Sequence, residues 1–129
     1  MSKHETWRTR MFWEETGGLL IEEFIAVEGN QKQGKRLMDG LIVLGESKLL
    51  YPGNKYDIKG KDVIVIQTKK GRLGMYLLGQ AFFSKFLIQK LSPRSVRTVA
   101  ICGKNDSVLG ELAKQHGVEI VEYPDNVKK

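Results

Sequence analysis

Cysteine is almost absent from this 129-residue chain. Cys102 stands alone, so no internal disulfide can form and a disulfide-stapled secreted fold is excluded. With two histidines beside it, neither a zinc finger nor a Cys-rich cluster can be assembled within one chain, and any metal would be held mainly by oxygen ligands. Proline is scarce too, and Pro52, Pro93 and Pro124 fall where elements are expected to end. No apolar run approaches the ~20 residues of a membrane span and the first six residues are polar, so a cytoplasmic protein with no membrane partner is expected. No repeat, low-complexity tract or linker divides the chain, and its length fits a single domain over residues 1–129.

Positive charge is in excess: 21 Lys and Arg against 15 Asp and Glu give a net charge of +6. The excess is local. Residues 1–60 carry nine basic and nine acidic side chains, whereas residues 61–104 carry nine basic residues against one acid, Asp62. A phosphate backbone would be attracted there, although a solvated basic face also serves solubility.

Hydrophobic spacing predicts a first helix over residues 6–23, interrupted near Gly17–Gly18, because Trp13, Leu20, Phe24 and Val27 fall on one side. Residues 24–27 could equally begin a short strand. A turn at 29–34 leads into a strand over 37–44, a long loop or irregular hairpin over 45–61, and a β-branched strand over 62–69. Residues 73–91 are apolar on nearly every face, which predicts a largely buried helix. A strand over 96–102, a short helix over 107–115 capped by Asp106 or Asn105 and ended by Gly117, and a last strand over 118–123 complete an α/β layered domain with a mixed sheet.

Asp39 lies inside one apolar strand, and Gln67 and Lys69 close another; burying such groups without partners costs several kcal/mol. If the strands are neighbours, a carboxylate, an amide oxygen and an ammonium share one pocket. Hard oxygen donors with open positions suit Mg²⁺ or Mn²⁺. Of the adjacent Glu22 and Glu23, helical phase puts Glu23 nearer the apolar side and makes it the better further acid. Plain structural readings stand beside these: Asp39 satisfied by Arg36 or a turn, Gln67 and Lys69 on a strand emerging into solvent, and Glu22–Glu23 as surface charge. Trp7, Arg8, Arg10 and Trp13 interleave bases with aromatics in a pattern compatible with nucleic-acid stacking.

These residues resemble the PD-(D/E)xK nuclease superfamily, of restriction-endonuclease-like fold. The resemblance covers about residues 7–90: Glu23 in the first helix, Asp39 in Arg36-Leu37-Met38-Asp39-Gly40, and Gln67-Thr68-Lys69 ending Val63-Ile64-Val65-Ile66. The Gln-x-Lys form departs from the commoner Glu-x-Lys and is similar to the Mrr-type variant. The distance from Asp39 to Gln67 is long for the superfamily and requires an insertion between the strands. The resemblance implies an αβββαβ core with a mixed central sheet, followed here by a C-terminal helix and strand. It also implies metal-dependent hydrolysis of DNA phosphodiesters. Asp39 and Gln67, with Glu23, would ligate Mg²⁺ or Mn²⁺, and Lys69 would position the attacking water. Gln80 resembles an extra glutamine of RecB-like and Mrr-like members, and Arg36, Lys70 and Arg72 would grip phosphates. A homodimer is expected if both strands are cut, and specificity would come from loops such as 45–61 or from a recognition or recombination partner. The rival expectation is a non-catalytic nucleic-acid-binding or assembly module that retains the fold, motivated by the lost carboxylate at Gln67. A nucleotide-binding unit over 96–123 is argued against by the missing glycine fingerprint.

Overall fold

The computed structural model of the protein describes residues 3–125. Its elements run α1 (Lys3–Thr16), β1 (Leu19–Val27), β2 (Arg36–Val43), β3 (Leu49–Leu50), β4 (Asp62–Thr68), α2 (Met75–Gln89), β5 (Ser95–Cys102), α3 (Ser107–Gln115) and β6 (Val118–Glu122). The strands form one six-stranded mixed sheet in the order β3-β1-β2-β4-β5-β6. β1, β2 and β4 pair antiparallel, while β4–β5 and β5–β6 pair parallel across the α2 and α3 crossovers. No helix among the described residues is long and apolar enough to cross a membrane.

Strand alternation sorts the apolar side chains into two layers. Leu20, Ile42, Ile64, Ile66, Val99 and Ile101 pack against Phe12 and its neighbours on α1. On the opposite face Ile21, Leu41, Val43, Val63 and Val65 meet Ile88, and Ala100 and Cys102 meet Leu77, Leu78 and Ala113, so α2 and α3 cover that side. Cys102 is buried, and burial pushes its thiol pKa up. Asp106 caps α3, its carboxylate accepting the Leu109 N–H at 2.9 Å.

The first helix is shorter than its hydrophobic spacing suggests. It stops at Thr16, because Gly17 and Gly18 take φ values of 79° and 88° that turn the chain away, and residues 19–27 are a strand. Glu23 therefore sits in β1 and not on a helix. There it adopts φ 52°, and the alternation of β1 breaks: Leu19 and Ile21 share the α2 side with Phe24 and Ala26.

The second helix departs in another way. Leu77, Leu78, Ala81, Ser84 and Ile88 are buried, but Met75, Tyr76, Phe83 and Phe86 stand in solvent. The expectation of a largely buried helix is corrected: apolar residues surround the helix, while the sheet and α3 cover only part of it. The loop 45–61 contains β3, which adds a short parallel edge to β1, and it plugs the core with Ile58.

The aromatic and basic residues of α1 serve the fold. Arg8 is buried, its guanidinium lying 4.4 Å from the Trp7 ring centroid, donating to the Tyr123 carbonyl at 3.1 Å and pairing with Asp125. Arg10 clasps Glu22 through two hydrogen bonds of 2.7 and 2.9 Å, and Trp13 donates its indole N–H to the Gly18 carbonyl. The stacking expectation thus loses Arg8 and Arg10, whose guanidinium groups are engaged within the chain.

Candidate active site

The antiparallel register of β2 and β4 ends at Gly40 opposite Ile66. One step further along the ladder, Asp39 stands opposite Gln67. Its carboxylate Oδ2 accepts the backbone N–H of Thr68 at 2.8 Å, between the two polar residues of the Gln67-Thr68-Lys69 run. The structure thus brings Asp39 to the end of β4, the neighbourhood that the sequence reading required.

Gln67 is buried on the α2 side of the sheet. Its Nε2 donates to the Ser84 hydroxyl at 2.8 Å and touches the Met38 sulfur at 3.5 Å. Ser84 in turn donates its own proton to the Gln80 carbonyl one turn back, at 2.6 Å. A hydroxyl has one proton; with that proton committed, the Ser84 oxygen can only accept, so Gln67 must present nitrogen to it and turn Oε1 the other way. That oxygen makes no hydrogen bond among the described residues. Ser84 is the residue that sequence reasoning missed, and its only signal was a hydroxyl one turn beyond Gln80 in an apolar helix.

Gln67 forms part of the lining of a groove of about 480 Å³ between the start of β2 and α2. Arg36, Tyr76, Gln80 and Phe83 line it as well. Gln80 Nε2 reaches the Tyr76 hydroxyl at 3.4 Å, and the Lys69 ammonium lies 5.7 Å from the Tyr76 ring centroid. Lys69 follows β4 directly, its backbone N–H held by the Ile101 carbonyl at 3.0 Å.

Lys70 and Arg72 continue the same loop as exposed residues. The loop itself is tied down: Gly71 accepts the Gly103 N–H at 2.9 Å, Leu73 donates to the Lys104 carbonyl at 2.8 Å, and the Gly71 N–H donates to Asp125 at 3.1 Å. Elsewhere in the basic half, Lys61 pairs with Glu46, Arg94 with Asp62 and Arg97 with Glu119. Lys69, Lys70, Arg72 and Lys104, grouped on the loop beyond β4 and just after β5, pair with no acid among the described residues, and neither do Lys85, Lys90 and Lys114.

The two glutamates line one depression but differ in what holds them. Glu22 is held by Arg10 and faces α1. Glu23 lies at the level of Asp39, since the β1–β2 ladder pairs Glu22 with Gly40 and Phe24 with Met38 on either side. It lines, together with Glu22, a depression of about 570 Å³ distinct from the groove at Gln67, with Leu50, Tyr51, Pro52, Gly53 and Asn54. Among the described residues no group of three or more His, Cys, Asp or Glu side chains is arranged to hold a metal ion. Asp39 and Gln67 bring one carboxylate and one amide to the same level of the sheet, a weakly charged pair that suits a cation keeping several of its waters. Comparison with protein-family models, curated proteins and solved structures returned no match for the chain.

Proposed function

We propose that the protein is a metal-dependent DNA endonuclease of the restriction-endonuclease-like fold, acting in the cytoplasm as a single domain. The observation that carries this reading is the docking of Asp39 onto the Thr68 N–H, which joins an acid in β2 to the Gln67-Thr68-Lys69 end of β4. The element order also supports it: α1, the antiparallel strands β1, β2 and β4, then α2 and the parallel β5 follow the αβββαβ pattern, with β3 inserted and α3 and β6 appended. The left-handed backbone of Glu23 at the level of Asp39 is local strain of the kind that collects at working sites.

Asp39 and Gln67 would hold Mg²⁺ or Mn²⁺, with Glu23 reaching toward it from β1. When bound, the cation would supply Lewis-acid stabilisation of the phosphoryl oxygens. Lys69 would orient a water whose oxygen forms a bond to phosphorus while one P–O ester bond breaks, the departing oxygen taking up a proton. Arg36, Lys70, Arg72 and Gln80 would hold the DNA backbone.

Cleavage of supercoiled plasmid and of single-stranded, duplex and branched DNA with Mg²⁺, Mn²⁺ or chelator tests the proposal. Metal-dependent cutting by wild type that falls at least a thousandfold in Lys69→Ala is the expected result. A second reading, a non-catalytic nucleic-acid-binding or assembly module, is favoured by one observation: Glu23 lines a depression separate from the groove at Gln67, leaving one carboxylate at the site. Under that reading no cation binds, while DNA affinity persists and falls steeply with salt.

A further inference from the structure

The groove at Gln67 is walled on the α2 side by large side chains that metal-dependent hydrolysis does not call for. Tyr76 and Phe83 line it and are 68% and 64% exposed, and Met75, 68% exposed, stands on the same rim. Apolar side chains gathered in solvent beside a groove mark a surface that meets a ligand. Tyr76 and Phe83 are two helical turns apart, so they share one face about 10 Å apart along the axis. Gly79 lies between them. A Cβ there would meet nothing of its own chain within 4 Å, so packing gives no reason for a residue that weakens a helix, and its bareness keeps the floor between the two rings open.

The same rim is cationic. The Lys69 ammonium lies 5.7 Å from the Tyr76 ring centroid, and Arg36 lines the groove from the start of β2. Neither pairs with an acid among the described residues, and α2 itself carries no acid. Open rings beside unpaired cations match a ligand that offers flat faces and anionic groups together. Nucleic acid offers both, but a duplex keeps its base faces inside the stack and presents only edges and phosphates. Phe83 has no hydrogen-bonding group with which to read an edge or hold a phosphate. Its ring is of use to a base whose face is free.

We infer that the α2 rim is a stacking platform and that the groove takes single-stranded DNA. Unpaired bases lie against Tyr76 and Phe83, over the bare Gly79, while Lys69 and Arg36 hold the phosphates that run past Gln67. Such a platform is tolerant of sequence, because every base has a face to stack. The inference rests on the reading of this groove as the DNA site of the proposed nuclease, and it names the form of DNA that enters.

Fluorescence anisotropy of the intact protein with a labelled oligothymidylate and with a duplex of equal length, both in chelator, measures binding apart from cutting. Wild type is expected to hold the single strand roughly tenfold or more tightly than the duplex. Phe83→Ala should weaken the single strand about tenfold and leave the duplex unchanged, and Phe83→Trp should restore the loss. Leu49→Ala, at an exposed position on the edge strand β3, should change neither. Because Phe83 is exposed, Phe83→Ala should keep the wild-type urea midpoint, which separates a lost platform from lost folding. Equal affinity for the two forms, no binding of the oligothymidylate, or wild-type affinity in Phe83→Ala overturns the proposal; metal-dependent cutting of duplex in the same preparations would then leave the nuclease reading standing. Phe83-dependent binding of the single strand with no DNA form cut overturns the nuclease reading and supports the platform. Sedimentation of the free protein covers the other occupant: self-association that Phe83→Ala abolishes, with oligothymidylate affinity unchanged, gives the face to a second copy and overturns the proposal.

Discussion

An amide nitrogen and an amide oxygen are nearly the same size, and a hydroxyl proton on a neighbouring helix decides which of them Gln67 turns away from α2. Ser84→Ala removes the acceptor for a buried Nε2 and should cost about 1–3 kcal/mol, read as a lower urea midpoint. It also frees the amide to rotate. If Gln67 Oε1 is a cation ligand, the same variant should need more Mg²⁺ for half-maximal cutting and cut about tenfold more slowly, in the range for lost outer-shell support. A role confined to packing would lower stability without moving the Mg²⁺ dependence. Asp39, Gln67 and Lys69 were legible as candidates because polar groups in apolar strands are costly unless they have work to do. Ser84 was not, because a serine in an apolar helix looks the same in sequence whether its hydroxyl only returns to the preceding turn or also orients a neighbour.

At the scale of elements, β2, β4, β5 and β6 and the helices α2 and α3 could be read from β-branched runs, caps and glycines. The failure at residues 19–27 has a definite cause. A strand whose alternation breaks at Glu23 brings Ile21 and Phe24, three apart, onto one face, and that spacing imitates a helix. The two glycines before it were the better signal. Gly18→Ala would put a Cβ 2.8 Å from Ile42 Cγ2 and 2.9 Å from the Val43 carbonyl oxygen at a φ of 88°, and a loss of about 2–3 kcal/mol is expected. Gly17→Ala meets nothing within 4 Å and should cost only the left-handed backbone term of about 1–2 kcal/mol. Urea unfolding of the two variants side by side checks the difference. The exposure of α2 was illegible for another reason: an apolar residue is written the same way whether it will face a core or solvent.

Across the whole molecule, the parallel β4–β5 pair is fastened at both ends. At one end Arg94 and Ser95 hold the Asp62 carboxylate, and the Arg94 guanidinium together with the Ser95 hydroxyl lowers its pKa to about 2. A carboxyl depressed on folding adds stability that is present above its ordinary range and is lost as pH falls through the folded value. Wild type should therefore lose stability between about pH 4 and pH 2, and Asp62→Asn should flatten that limb of a melting-temperature profile. At the other end, Arg8 holds Asp125, and Asp125 receives the Gly71 N–H. Arg8→Met, which keeps the apolar stem and removes the guanidinium, is expected to cost about 2 kcal/mol through the Tyr123 carbonyl and Asp125 it deserts. Hydrogen exchange at the Gly71 amide should quicken in the same variant. The three-way tie has a meaning in time as well as in space. Asp125 lies 54 positions after Gly71, so while the chain is being made the ties of the basic loop to Ile101, Gly103 and Lys104 can form before the last one, to Asp125, which must wait until residue 125 has cleared the ribosome.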